Sequence, residues 1–240
     1  MHTPIKIMLL TTALLVLVGW GAALTLADEA KDKAQANDDG WEVLFDGTST
    51  DAFRGWKTDQ FPSKGYRIEE DGSLHAIDGS RDFITRNQYA EFDLRWEWKL
   101  SKGANSGVMI RVAEVGGHPH DTGPEYQIID DHRIHISSTG SLYGLVKPNE
   151  KAKINPSGKW NTSRIVVQDN DVKHYLNDEL VVEYVWASED IKQRIGKSKF
   201  KNWKGFMQQD TGHIGFQSHG KDLWFRNIKI KDLSTEGNEE

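Results

Sequence analysis

Nine consecutive residues near the middle of the chain alternate strictly between apolar and polar side chains. The segment Phe92–Leu100 (FDLRWEWKL) has phenylalanine, leucine or tryptophan at every second position. Because successive side chains of a β-strand point to opposite faces, this pattern predicts a strand with one buried and one solvated face. An amphipathic helix would need a period of about 3.6 residues instead. The segment therefore indicates a core built on a β-sheet.

Shorter strand-like segments recur along the rest of the chain, separated by turn residues. The pairs Asp71-Gly72, Asp169-Asn170 and Asn177-Asp178 suit tight hairpin turns. A helix is predicted only at 188–197, where Ser188 can cap the first turn. Many short strands with almost no helix predict an all-β sandwich or jelly roll. The further predicted strands are 66–69, 74–77, 108–112, 125–130, 163–168, 172–176, 180–184, 213–218 and 223–230.

Charge and cysteine content exclude several classes of function. The 240 residues include 36 acidic and 30 basic side chains, which gives a formal net charge of −6. This balance argues against nucleic acid as a partner, because phosphate binding needs a basic surface. Cysteine is absent, which excludes disulfides, thiolate nucleophiles and cysteine-based zinc sites. The oligomeric state is not predicted.

The N-terminal segment has the pattern of an export signal. Lys6 precedes an uncharged run at 7–27, and Thr25-Leu26-Ala27 supplies small residues for cleavage, so a signal peptide is predicted. An uncleaved membrane anchor is the alternative, because the run is long enough to span a bilayer. Both place the protein outside the cytoplasm, in the periplasm or the medium. The predicted organisation is a signal peptide at 1–27, a flexible spacer at 28–40, one domain at 41–234 and a polar tail at 235–240.

Three polar side chains interrupt the predicted strand at 125–130 (EYQIID). Glu125 and Gln127 share one face of a regular strand, and a β-bulge would bring Asp130 to the same face. Burying such groups among apolar neighbours is unfavourable unless they line a cleft. We therefore predict a functional face here, with a solvated edge strand as the alternative.

Polar residues in three other predicted strands could complete a groove. Arg111 interrupts an apolar strand and would either form a structural ion pair or bind a ligand oxygen. Gln217 and His219 are two residues apart and share a face, as do Trp224 and Arg226 on the following strand. Polar groups beside aromatic rings suit a sugar, which needs hydrogen bonds to its hydroxyls and a stacking surface. An exposed sheet face is the alternative.

One histidine-rich loop has residue types that bind metals. In His118-Pro119-His120-Asp121 two histidines lie next to a carboxylate, and His132 and His135 follow in the next loop. Solvated loops are the alternative for both, so a divalent metal is an option and no cofactor is established. A Gly-rich phosphate loop, Gly-x-Ser-x-Gly and His-Glu-x-x-His are all absent from the sequence.

An ordered set of short motifs resembles the 3-keto-disaccharide hydrolase family, over residues 41–234. This resemblance implies a concanavalin A-like jelly roll, with two curved antiparallel sheets and a concave sugar-binding face. It also implies a groove that contains Arg111, Glu125, Gln127, Asp130, Gln217, His219 and Arg226. The motifs are 41–47 (WEVLFDG), 55–56 (GW), 105–111 (NSGVMIR), 123–130 (GPEYQIID), 142–145 (LYGL), 156–161 (PSGKWN), 176–177 (LN) and 215–227 (GFQSHGKDLWFRN).

The resemblance implies cleavage of glycosidic bonds in 3-keto-disaccharides or related 3-keto-glycosides. A carbonyl at C3 acidifies the hydrogen on C2, so one base can start elimination at C1, and water then adds to the double bond. Laminarinase-type glycosidases of similar fold carry Glu-x-Asp-x-x-Glu, whereas this chain has Glu125-x-Gln127-x-x-Asp130. The middle carboxylate is missing, which argues against double displacement. The candidate bases are Glu125 and Asp130, and His219 would act as acid or contact a sugar hydroxyl.

The remaining candidate residues are assigned to substrate binding. The alternative to an enzyme is a non-catalytic, lectin-like sugar-binding module on the same fold, and a third hypothesis is a domain for interactions in the cell envelope. The predicted substrate-binding residues are Arg111, Gln127, Tyr143, Gln217, Trp224 and Arg226.

Overall fold

The computed structural model of the protein describes residues 40–77, 79–220 and 222–234. The predicted signal peptide, the C-terminal tail and the spacer up to residue 39 lie outside these residues. The described part forms strands throughout, with one α-helix, α1 (Glu189–Gly196). Its strands are β1 (Trp41–Phe45), β2 (Phe53–Gly55), β3 (Tyr66–Ile68), β4 (Leu74–Ala76), β5 (Phe83–Thr85), β6 (Phe92–Leu100), β7 (Asn105–Val112), β8 (Glu125–Ile129), β9 (Asn161–Gln168), β10 (Asp171–Leu176), β11 (Glu179–Val185), β12 (His213–Phe216) and β13 (Leu223–Asp232).

The larger sheet has eight strands and contains the alternating segment at its centre. Its order is β11-β10-β9-β6-β13-β4-β3, and β1 pairs with the second half of β13 beside β4. The five apolar side chains of β6 are buried, while Arg95 on the opposite face is exposed. Burying one face of a strand fixes its register, because a slip by one residue would expose every apolar side chain.

The smaller sheet has five strands in the order β2-β5-β12-β7-β8, and all strand pairs in both sheets are antiparallel. The two sheets pack face to face around an apolar core. Tyr126 of β8 forms a hydrogen bond with Ser163 of β9 (2.8 Å), and Trp98 Nε1 donates to the same hydroxyl (2.8 Å). These buried polar atoms are therefore satisfied across the sheet interface. The predicted all-β sandwich is confirmed.

Local signals in the sequence place the turns and the helix. Asp169, Asn170, Asn177 and Asp178 all have positive φ angles, as the tight turns between β9, β10 and β11 require. Ser188 caps α1 by accepting a hydrogen bond from Ile191 N, as predicted. Among the described residues, no helix is long and apolar enough to cross a membrane.

Candidate active site

A polar pocket of about 200 Å³ lies against the strands β7 and β8 of the five-stranded sheet and the segment that follows β12. In the β7–β8 pair, Gly107 lies opposite Gln127 and Met109 lies opposite Glu125. Alternate residues of a strand share a face, so Glu125 and Gln127 both point to the pocket side while Tyr126 points into the core. The functional face predicted for β8 is therefore the face that the pocket covers.

Glu125 supplies the carboxyl group of this pocket. Its side chain lies directly over Gly107, where a Cβ atom would overlap the carboxylate. No described residue donates a hydrogen bond to it, and burial raises its pKa to about 8, an effect that the positive charge of Lys199 partly opposes. At neutral pH the group is therefore mainly protonated and becomes a base as the pH rises.

Two amide side chains beside Glu125 present unused hydrogen-bonding groups. Gln127 Oε1 accepts a hydrogen bond from Ile128 N (2.8 Å), which leaves its amide nitrogen for other partners. Asn105 lines the same pocket, and its buried Oδ1 has no partner among the described residues. Unsatisfied buried polar atoms are rare in folded proteins, so the pocket fits a ligand rich in hydroxyls.

Gln217 and His219 reach the pocket from the segment that follows β12. The backbone holds this segment in place, because Gln217 N donates to Gly107 O (2.9 Å) and Ser106 Oγ donates to Gln217 O (2.7 Å). Both side chains line the pocket, as the spacing of the two residues predicted. β12 ends at Phe216, two residues earlier than predicted. Gln217 and His219 therefore face the pocket from the segment that follows the strand.

An aromatic wall closes the pocket on the side of the chain segment after α1. Phe200, Trp203 and Phe206 line it, and Phe200 stacks on Phe206 with ring centroids 4.3 Å apart. Lys199 contributes a cation there, with its Nζ 3.3 Å from the hydroxyl of Tyr143 and 4.3 Å from the centre of that ring. The sequence analysis predicted Tyr143 and missed the other four, because they come from a short 3-10 helix and its exit without strand periodicity.

A second pocket, of about 480 Å³, adjoins the first. The two share His120, Gln217 and His219, and the second is also lined by Trp56, whose buried Nε1 has no partner among the described residues. Two connected pockets with aromatic and polar linings provide room for two sugar rings.

The side chains that could hold a metal lie in the second pocket. Asp82, His118 and His120 each offer a ligand atom, and these atoms lie within 4.8 Å of one another. The sequence suggested Asp121 as the neighbouring carboxylate, but Asp121 accepts hydrogen bonds from its own loop, and Asp82 on another segment replaces it. His135 instead contacts Asp131 at 3.0 Å, outside this group.

The structure places Arg111 away from both pockets. Along β7, Met109 faces Gly215 of β12 and Val112 faces His213, so β7 contains one extra residue and forms a bulge. Arg111 lies in that bulge with φ +50°. Its guanidinium donates to Ala90 O (2.8 Å) and stacks 4.5 Å from the ring centre of Trp186. Arg111 was expected in the groove and is instead a buried arginine with structural contacts.

The bulge that was expected in β8 is absent, and Asp130 therefore points away from Glu125. The β7–β8 register is regular from residue 125 to residue 129. Residue 130, an odd number of positions from Glu125, therefore points to the opposite face. Its carboxylate accepts hydrogen bonds from Gly103 N (2.7 Å) and Ser157 Oγ (2.8 Å). These bonds tie two loops together and lower the pKa of Asp130.

Trp224 and Arg226 lie on the solvent face of the eight-stranded sheet. Trp224 stacks on His75 with ring centroids 4.2 Å apart. Arg226 pairs with Glu97 (2.7 Å) and covers the ring of Trp160 at 4.0 Å. The two residues share a face, as predicted. That face belongs to the eight-stranded sheet, whereas the pocket lies on the five-stranded sheet, so neither residue reaches the pocket.

A β-sandwich with two connected polar and aromatic pockets defines the class of carbohydrate-active jelly-roll proteins. Residues 40–231 match the 3-keto-alpha-glucoside-1,2-lyase-like domain, and the chain belongs to this family. The chain is 31% identical to a 3-keto-disaccharide hydrolase of Bacteroides thetaiotaomicron, an alignment that covers 91% of the chain and 87% of the relative. The predicted family resemblance is confirmed.

Two solved structures from Parabacteroides distasonis, both described as candidate glycosyl hydrolases, are similar over most of the chain. One has 32% identity and a TM-score of 0.74, and covers 85% of this chain and 97% of its own. The other has 27% identity and a TM-score of 0.65, and covers 82% of this chain and 100% of its own. The prediction of a carbohydrate-active enzyme is confirmed at the level of this family.

Proposed function

We propose that this protein cleaves the glycosidic bond of 3-keto-disaccharides or related 3-keto-glycosides by elimination and hydration. Membership of the family and the name of the Bacteroides thetaiotaomicron relative support the substrate class. The observation that carries the mechanism is the position of Glu125, the one carboxyl residue among the described residues that line the first pocket. Elimination needs one base, whereas double displacement needs two carboxyl groups about 5 Å apart.

In this mechanism Glu125 removes the proton from C2 of the keto sugar. The electron pair of the C2–H bond forms an enolate with the C3 carbonyl, and its collapse breaks the bond from C1 to the leaving oxygen. His219 gives a proton to that oxygen, and the unsaturated ketone then adds water across C1 and C2. The net reaction is hydrolysis, and no oxidant or reductant is consumed.

Groups in the pocket stabilise the negative charge that develops on the C3 oxygen. Gln127 and Gln217 supply amide N–H groups, and Lys199 supplies a positive charge. Donors that are already positioned in a poorly solvated pocket stabilise an enolate more than water does. The second sugar ring occupies the adjoining pocket beside Trp56.

The activity test compares 3-keto-trehalose with trehalose as substrates of the purified protein. The proposal expects cleavage of the keto form alone, with deuterium from heavy water incorporated at C2 of the glucosyl unit. Glu125→Gln should reduce turnover by a factor of about 10² to 10⁴, because it removes the general base. Saturable binding of both sugars without cleavage would instead indicate the non-catalytic sugar-binding module.

We further propose that the protein is exported and cleaved after Ala27. The supporting observation is the sequence pattern of residues 1–27, an uncharged run after Lys6 that ends in small residues. Intact-mass analysis of the protein from its native envelope fraction should give a mature chain that begins at Asp28. A mass that includes residues 1–27 would favour the membrane anchor.

A further inference from the structure

Three potential metal ligands converge where the two pockets meet. Asp82 lies just before β5, while His118 and His120 come from the loop between β7 and β8. Their ligand atoms lie within 4.8 Å of one another. In a tetrahedral zinc site with bonds of about 2.0–2.1 Å, ligand atoms are about 3.3 Å apart. Small side-chain rotations would therefore close these three atoms around one ion.

The Asp82 carboxylate has the environment of an unused anionic ligand. It is half-buried, and one oxygen accepts a hydrogen bond from Ser218 N (3.0 Å). The other oxygen has no hydrogen-bond partner among the described residues. A bound cation would give this oxygen a partner of opposite charge.

The two imidazoles lie next to each other beside Asp82. Their rings stack with centroids 5.0 Å apart and planes 4° apart. The buried Nδ1 of His120 has no hydrogen-bond partner among the described residues, and Nε2 is 3.8 Å from Asp121 Oδ1.

The loop that carries the histidines is held by its own hydrogen bonds. Asp121 Oδ2 accepts from Gly117 N (2.6 Å) and His118 N (3.0 Å), and buried Pro119 begins a 3-10 helix. The loop therefore presents both imidazoles in a fixed arrangement toward Asp82.

We propose that Asp82, His118 and His120 bind one divalent transition-metal ion between the two pockets. Two imidazoles and one carboxylate favour zinc, iron or manganese over calcium and magnesium, which prefer oxygen ligands. Three protein ligands leave open positions for sugar oxygens, as in catalytic metal sites. A role for the ion in polarising the keto oxygen rests on the proposed function, whereas binding of the ion does not.

The binding test uses the purified full chain, treated with EDTA and dialysed. Calorimetric titration with Zn²⁺ and with Mn²⁺ should show one bound ion per chain, and elemental analysis should confirm the count. His118→Ala should weaken binding by a factor of at least about 10 to 100, the loss typical of residues that only orient a ligand, and Asp82→Asn should do the same. His118 is exposed, so its replacement should leave the fold intact. His132→Ala, an exposed histidine in another loop, is the matched control and should bind as the parent does.

Metal binding and catalysis are tested separately, so either proposal can be wrong without the other. Glu125→Gln should bind the ion like the parent protein while losing activity, which separates the two proposals. Stoichiometric binding that is lost in the His118 variant but kept in the His132 variant supports the site. Absence of one-to-one binding with both ions, or equal binding by the His118 and His132 variants, would overturn it.

Discussion

The carboxyl group of Glu125 fills the space above Gly107, the residue diagonal to it on the neighbouring strand. Any side chain at position 107 would overlap that carboxyl group, so the missing Cβ of glycine determines where the proposed base lies. The φ angle of Gly107 is not in the left-handed region, so its backbone conformation is open to other residues. Glycine is needed here for space and not for backbone freedom.

Gly107→Ala should therefore displace the base while the fold is kept. We expect a loss of activity of about 100-fold, since shifts of about 1 Å at a reacting group have effects of that size. Stability should fall by about 1–3 kcal/mol from overpacking. The measurement is kcat/KM on a 3-keto-disaccharide together with circular dichroism. Gly196→Ala in α1, where a Cβ meets no atom within 4 Å, is the control and should keep full activity.

The rate of cleavage should increase with pH until Glu125 is ionised. Its pKa of about 8 means that only a minority of molecules carry the basic form at pH 7. Lys199 lowers this pKa, so Lys199→Gln should move the midpoint of the kcat/KM profile of the metal-free protein to higher pH. Lys201→Gln, an exposed neighbour, should leave the midpoint unchanged. A shift to lower pH in the Lys199 variant would contradict the assignment.

The same group should make the fold less stable in alkaline solution. The folded chain holds the Glu125 proton up to about pH 8, whereas the unfolded chain releases it near the ordinary value of 4.5. The Glu125 proton therefore stabilises the fold fully below about pH 4.5. This stabilisation is lost as the pH rises from about 4.5 to about 8. In EDTA, the Tm of Glu125→Gln minus the Tm of the parent should increase by about 3 °C or more from pH 5 to pH 9. For the exposed control Glu150→Gln, the same Tm difference should stay constant with pH.

Replacing Asp130 should affect stability and leave the chemistry intact. Asp130→Asn weakens the hydrogen bonds from Gly103 and Ser157, so we expect a loss of about 1 kcal/mol in the free energy of unfolding. Denaturant titration measures that loss, and kcat/KM should match the parent. A large loss of turnover in a folded Asp130→Asn protein would restore Asp130 as a candidate base.

Period-two patterns in the sequence were sufficient to predict most of the sandwich. The strand β6, the hairpins around positive-φ turns and the cap of α1 all depend on local chemistry, and they are present as predicted. The strands β1, β2 and β5 were not predicted. The equally short β3 and β4 were predicted because the Asp71-Gly72 turn lies between them.

The candidate site was predicted only in part, for a geometric reason. Glu125, Gln127, Gln217 and His219 were found because residues at even spacing share a face. Asp130 was placed with them by a possible bulge in β8, and Arg111 by the family resemblance. The structure has a regular β8 and a bulge in β7 instead. Asp82 and Lys199 come from segments far away in sequence, and nothing local marks them as neighbours of the pocket.

The pairing of β1 with β13 joins the first and last strands of the domain, with Trp41 opposite Lys231. The two ends of the fold therefore leave from neighbouring positions on one sheet, while the pocket opens over the other sheet. A short peptide could join the ends, and new termini could be opened in a distant loop without cutting a strand of the pocket. The domain is thus suited to insertion into a host chain or to attachment on a support with its pocket facing solution.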